Sequence, residues 1–399
     1  MQKRSKTIKR ICRRTTKQIM NISLKKNKKR IVSFPHMGNS YIPIKSLFES
    51  MGAKVLLPPY NNKEALSLGV RYSIETICLP YKMNLGNYIQ ALERGANTLV
   101  MYGAPGSCRL GHYATMAEAT LKNLGYDFEM VIFNIYKGKL FEILKKFSYA
   151  ADLNANILEV AYGFRLSISK FLNLDRIEKK LFYYRPREVQ RGSAEAIYNQ
   201  GVREIEKAKN IPEVHAAVNA TYEKYSRIKI DPNRNIIRIS ITGEFFIVLD
   251  PFSNLEIERE LGYLGVEVQR EIMLADWISV KLVPPWLHKC ECHTKRAMKV
   301  SSPYMTRIVG GDCVESIGDA VLASRTDVDG VIHLGPFNCT PETVSQCILP
   351  YISKNENVPV ISLMVDEMTG RAGFLTRIEA FVDLVRRQVH KKLPVYNTF

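Results

Sequence analysis

The sequence predicts an α/β protein: two Rossmann-like lobes with parallel sheets on either side of a helical middle. Three observations predict it. From residue 31 to 136, short apolar runs alternate with helix-compatible stretches of about a dozen residues, the rhythm of strand, crossover helix and strand. Over 137–232 the apolar runs stop and the chain turns charged and helix-compatible, as in "PREVQRGSAEAIYNQGVREIEKAK". From 233 to 399 the alternation resumes.

Each element follows in order. "RIVSF" reads as a strand and leads to a helix over 41–51; "AKVLLP" is a second strand. A helix over 82–94 enters the strand "NTLVMYG", and one over 111–124 enters "FEMVIF". In the second lobe "IIRISITGEFF" is a strand, followed by a helix over 254–264 and the strand "VEVQ". "DGVIHLG" and "VPVISLMV" are the next strands, and a helix over 374–390 ends the lobe. With 399 residues the chain is long enough for two or three domains with full cores.

Composition narrows the class. The net charge of +18 is concentrated at one end. Residues 1–30 hold 13 Lys or Arg and no acid, which leaves 44 of the 57 basic residues against 39 acids in the rest. The body is therefore only mildly basic. The tail reads either as a solvated extension or as an arm for anionic lipid, nucleic acid or an acidic protein. No apolar run reaches the ~18–20 residues that span a bilayer, and no secretory h-region is present; the expected location is cytoplasmic. In that setting the eight cysteines (12, 78, 108, 290, 292, 313, 339 and 347) point to metal or redox chemistry rather than to a disulfide framework.

Three of them share one setting. Cys339 follows the strand "GVIHLG" and precedes Thr340, a suitable N-cap, and Pro341, a suitable first helical residue. Cys108 follows "NTLVMYG" and the turn "APGS". Cys78 precedes Pro80, so that Cys78-Leu-Pro and Cys339-Thr-Pro form the same Cys-x-Pro pattern, one in each lobe. Loops at the carboxyl ends of parallel strands line the ligand crevice of open α/β sheets, and a helix N-terminus lowers a thiol pKa. Three such thiols around a four-iron cubane leave one iron free to bind a substrate oxygen or pass it an electron. The alternative for each cysteine is a small buried hydrophobe.

The blocks "VSFPHMGNSYIPIKSLFESMGAKVLLPP", "ETICLPYKMNLGNYIQALERGANTLVM", "GAPGSCRLGHY", "GGDCVESIGDA", "DGVIHLGPFNCTPE" and "DEMTGRAGFLTRIEAFVDL" together resemble the acyl-CoA dehydratase activase-related proteins, often labelled "CoA protein activase". These are similar to the iron-sulfur subunits of 2-hydroxyacyl-CoA dehydratases and to the double-cubane-cluster reductases. The resemblance covers residues 30–390 and leaves out the basic tail. It implies an iron-sulfur cluster of the 4Fe-4S type on Cys78, Cys108 and Cys339, an anaerobic setting, and an ATP-dependent activase or reductase partner that supplies low-potential electrons. It also implies a small-molecule or acyl-CoA substrate. The alternative function is a non-catalytic electron carrier or scaffold.

Secondary features complete the reading. Cys313, in "VGGDCVESIG", also opens a helix after a short strand and is a rival or extra ligand. Seven cysteines outside the tail would suffice for a double-cubane form, while Cys347 reads as packing. "HKCECH" (288–293) gathers soft ligands that suit zinc, or is a loop. Asp366 and Glu367 follow "VISLMV" as a general-acid pair, or as a cap and a salt bridge to Arg371 or Arg377. His112 is a proton donor or a surface histidine, and Arg109 a holder of an anionic ligand. "GSCRLGHY" has phosphate-loop glycine spacing but His-Tyr in place of Lys-Ser/Thr, so no ATP site is expected on this chain.

Overall fold

The computed structural model describes residues 29–103, 108–134, 147, 149–150, 157–273, 275, 293–307 and 309–392. The basic tail up to residue 28, the turn 104–107 and the 288–292 part of "HKCECH" lie outside the described residues.

The protein is mixed α/β, with two four-stranded parallel sheets flanked by helices. In the first lobe the strands are β1 (Ile31–Ser33), β2 (Lys54–Val55), β3 (Thr98–Gly103) and β4 (Glu129–Asn134). They stand in the order β2-β1-β3-β4, with Val32 opposite Thr98 and Thr98 opposite Glu129. The second lobe repeats the plan. Strands β5 (Ile237–Gly243), β6 (Val266–Arg270), β7 (Gly330–Pro336) and β8 (Val360–Val365) stand in the order β6-β5-β7-β8. In this order the connections reverse direction beside the first strand, between β1 and β3 and between β5 and β7. Ligands bind at such switch points, outside the carboxyl ends of the strands.

The helices of the first lobe are α1 (Tyr41–Ser50), α2 (Lys63–Tyr72), α3 (Leu79–Glu93) and α4 (Tyr113–Asn123). The 63–72 stretch, not anticipated as a helix, is started by Asn62, whose side chain accepts from Ala65 N at 2.9 Å. It lies against α3 at a contact that only glycine permits. A Cβ on Gly69 would meet Lys82 O at 1.8 Å, and one on Gly86 would meet Ala65 O at 1.8 Å.

The middle consists of α5 (Ile157–Tyr184), α6 (Ser193–Lys207) and α7 (Ile211–Ser226). At ~1.5 Å per residue, α5 is about 42 Å long. Its Val160, Leu166, Leu174 and Ile177 join the core of the first lobe, with Val32, Phe48 and Phe133. Its Phe171 and Phe182 join the core of the second. The middle thus shares its core with both lobes and ties them together. Arg270 at the end of β6 adds an ion pair to Glu178 on α5 and a second to Glu258 at 2.5 Å.

In the second lobe α8 (Phe245–Leu249) and α9 (Ile257–Tyr263) follow β5, and α10 (His293–Ser301) and α11 (Cys313–Ser324) precede β7. Helix α12 (Thr340–Asn355) follows β7, and α13 (Arg371–Lys392) follows β8. β5 stops at Gly243, and "EFF" does not extend it as the sequence predicts. Gly243 takes φ +136°, and Glu244 caps α8 by accepting from Ile247 N at 3.0 Å. No helix among the described residues is long and apolar enough to cross a membrane.

Candidate functional site

Chain direction and helix starts place three cysteines on one cavity. Cys339 lies three residues past β7, in the turn toward α12. Asn338 takes the left-handed conformation (φ +64°), the turn closes through Cys339 N to Pro336 O at 3.1 Å, and Cys339 becomes the N-cap of α12. Thr340, expected as the cap, is instead the first helical residue, and Pro341 follows it. Cys108 is the N-cap of a single 3-10 turn, Arg109–His112, after β3. Cys78 is the N-cap of α3, with Pro80 in the first turn. None of the three thiols makes a full capping hydrogen bond with its own helix, although the backbone N–H groups of Tyr81, Leu110 and Glu342 each favour the thiolate of Cys78, Cys108 and Cys339 in turn.

The two lobes correspond differently from the Cys-x-Pro pattern. Cys108 and Cys339 each follow the third strand of their sheets and are topological counterparts. Cys78 opens the helix before β3, and its counterpart is the start of α11, where Asp312 is the N-cap and Cys313 the first helical residue.

The cavity, about 190 Å³, lies where the two switch points face each other. One wall is the segment just past β1 (Phe34, Pro35, His36) with Cys78 and Cys108; the other is Glu244, Phe245 and Cys339. Behind the thiols the lining becomes apolar, with Phe48, Phe133, Phe164 and Phe171 among it.

Two bridges cross between the lobes. Arg109 donates from Nη1 to Thr76 O at 2.8 Å and from Nη2 to Asn338 O at 2.7 Å, joining the loops that carry Cys78 and Cys339. The expected anion holder is therefore spent on backbone carbonyls. Lys82, 2% exposed, donates to Glu75 O at 3.0 Å and pairs with Glu367 across the lobes. Glu367 is thus a salt-bridge residue whose partner is Lys82; Arg371 pairs with Glu256 and Glu260 instead, and Arg377 donates to Ser362 O. Asp366 closes a turn, accepting from Met368 N and Thr369 Oγ1.

Burial sets the electrostatics. It pushes the Cys108 thiol up to about 12 and the Cys78 and Cys339 thiols upward as well, with the Tyr113 hydroxyl, 2.6 Å from Cys78 Sγ, working against the shift at Cys78. The helix N-termini were expected to lower these thiols. Desolvation outweighs them, and nearby carboxylates add to it: Glu244 at all three thiols, Asp312 at Cys108 and Glu342 at Cys339. Glu244 itself is raised to about 7 by burial. Without a positive partner the thiols are neutral, and a bound cation would supply the charge that their deprotonation needs.

The remaining residues stand elsewhere. Cys313 is buried in the core of α11, with its Sγ 3.7 Å from Met305 Sδ, and is not on the cavity wall. Cys347 is exposed on α12. His112 is exposed and does not line the cavity. Of "HKCECH" only His293 is described; its Nε2 lies 2.5 Å from Asp319 Oδ1.

Among the described residues no three His, Cys, Asp or Glu side chains gather on one point to hold a single metal ion. Three thiols set around a shared cavity are a donor set for a group that presents several metal atoms, and thiolates are what iron-sulfur groups take. In donor chemistry the three thiols match what such a cluster takes.

Three cavity residues escaped the sequence reading. His36 lies three residues past β1; its Nε2 donates to Pro58 O at 2.8 Å, its Nδ1 is buried without a partner, and burial holds its pKa down. Glu244 and Tyr113 are the others. Position at the carboxyl end of a strand is the signal that could have found His36 and Glu244, since that edge was already singled out for the cysteines. Tyr113 had no such signal. No protein-family model matches the chain, and no curated protein matches it.

Proposed function

We propose that the protein is an iron-sulfur protein in which Cys78, Cys108 and Cys339 hold the cluster. It would accept low-potential electrons from an ATP-dependent partner and pass them to a small molecule in the cavity. The observation that carries this reading is the meeting of three cysteines on one cavity. Each is the N-cap of a helix or 3-10 turn, and they come from both lobes. When bound, a cluster with three protein thiolates supplies an iron open to a substrate oxygen and a route for an electron.

The chain's own residues support that role. Arg109 fixes the spacing of the Cys78 and Cys339 loops. Tyr113 keeps its phenol proton, since burial raises it far above the usual range, and so has a hydrogen bond to offer the Cys78 sulfur. The aromatic lining makes the space beside the thiols apolar. A pure electron carrier has no need of that space, which favours an enzyme over a scaffold.

Strictly anaerobic purification with iron and sulfide analysis tests the proposal on wild type and Cys339→Ser. Wild type is expected to hold iron and sulfide in equal amounts, and the variant to lose most of both. A well-folded wild type that holds no iron after reconstitution would overturn the reading.

A further inference from the structure

A second cavity, about 300 Å³, lies at the other edge of the second sheet. Asn235 and Gly265, which stand just before β5 and β6, line it, so it sits at the amino ends of these strands, whereas Cys339 follows the carboxyl end of β7. Its lining holds Arg185, Arg191, Arg234 and Arg386 against one carboxylate, Glu188. That carboxylate is engaged already: its two oxygens accept from Gly192 N at 2.6 Å and Ala194 N at 2.7 Å.

The guanidinium groups are only partly satisfied. Arg185 is 5% exposed, donates from Nη1 to Glu258 O at 3.2 Å, and has a buried Nε without a partner. Arg234 donates to Pro186 O at 2.9 Å, with Asp231 at 4.0 Å. Arg386 donates to Leu264 O, with Asp383 at 4.0 Å. Arg191 lies flat on the Tyr263 ring, 3.9 Å from its centroid. The backbone makes room for two of them: a Cβ on Gly262 would strike Arg185 Cδ at 2.4 Å, and one on Gly265 would come within 3.2 Å of Arg386 Nη2.

Four guanidinium groups converging on one hollow repel each other, and a multivalent oxyanion relieves that repulsion while taking their remaining N–H groups in pairs. We infer that this hollow is a binding site for a phosphate-bearing ligand. Neutral carbonyls take single N–H groups from three of the arginines, and the acids beside Arg234 and Arg386 stand only at the 4.0 Å limit of an ion pair, so donors and positive charge remain for a ligand. The cavity leaves room for a second phosphate or an organic part. The site is separate from the cysteine cavity and does not depend on what the cysteines hold.

Calorimetric titration of the full chain with inorganic phosphate, pyrophosphate and ADP, at two salt concentrations, tests the inference. Saturable one-to-one binding of pyrophosphate, tighter than phosphate and weaker at high salt, is expected. Arg191→Ala and Arg234→Ala alter exposed side chains, and their folding is checked by circular dichroism. Each should weaken pyrophosphate about tenfold or more, while Cys339→Ser should leave it unchanged. ADP binding at least as tightly as pyrophosphate identifies a nucleotide; weaker ADP binding identifies a smaller phosphate. No saturable heat with pyrophosphate up to about 10 mM, or binding that both variants leave intact, overturns the inference.

Discussion

The guanidinium of Arg109 holds Asn338 O at 2.7 Å, while its other terminal nitrogen holds Thr76 O at 2.8 Å. One side chain thus joins the residue before Cys339 to a residue two before Cys78. Charge-assisted hydrogen bonds of this kind contribute about 1.5–3 kcal/mol each. Arg109→Lys keeps the charge but cannot reach both carbonyls as a planar fork does. It should lower stability by about 1–3 kcal/mol in urea denaturation and reduce iron retained per chain; an unchanged iron content would show that the bridge does not set the spacing of the thiols.

Cys108 and Cys313 make a paired test. Cys108→Ser should remove most of the iron with little loss of stability, because this thiol is only half-buried on the cavity. Cys313→Ser should keep the iron and cost about 1–3 kcal/mol, the penalty of a hydroxyl in an apolar core. Iron analysis beside urea denaturation separates the two, and the opposite pattern would move the ligand set from Cys108 to Cys313.

Glu244 predicts a pH dependence in the iron-free protein. Its folded-state pKa is raised to about 7 from an ordinary 4.5. Below 4.5 both states hold the proton and the residue contributes nothing. As pH rises toward 7 the unfolded chain gives up its proton first, so stability falls, and the loss is complete above 7. Glu244→Gln keeps an acceptor for Ile247 N and removes the titration. The variant should gain at most about 3 kcal/mol at pH 8 and nothing at pH 4, measured by denaturation at both.

The crossing of α2 and α3 should tolerate no side chain. Gly86→Ala puts a methyl group where Ala65 O stands 1.8 Å away. Backbone must shift, at about 1–3 kcal/mol or more. Helix α3 begins at Cys78, so a displaced α3 should also lower iron content; thermal melting and iron analysis read the two effects.

Both sheets were legible because buried parallel strands are continuous apolar runs, as in "GVIHLG" and "VISLMV". The same feature hid α8. "FFIVL" is as apolar as a strand, and only Gly243 and the Glu244 cap separate it from β5. "AKVLLP" promised six residues of strand, yet only Lys54–Val55 pair with β1. The three helix-opening cysteines were visible from local grammar, but their shared cavity was not, because it depends on how the lobes face each other. Arg109 likewise read as a ligand holder, since nothing local shows that Asn338, more than two hundred residues away, comes within its reach.

The two faces of the cavity come from distant parts of the chain, with roughly 260 residues between Cys78 and Cys339. Anything that binds both sulfurs therefore acts as a staple on the unfolded polypeptide as well as an ornament of the folded one. Closing so long a loop removes much of the disorder available to the denatured chain, in the way a cross-link does. Loading the site should accordingly raise the melting temperature of the whole molecule, with α5 and both cores unfolding together rather than lobe by lobe.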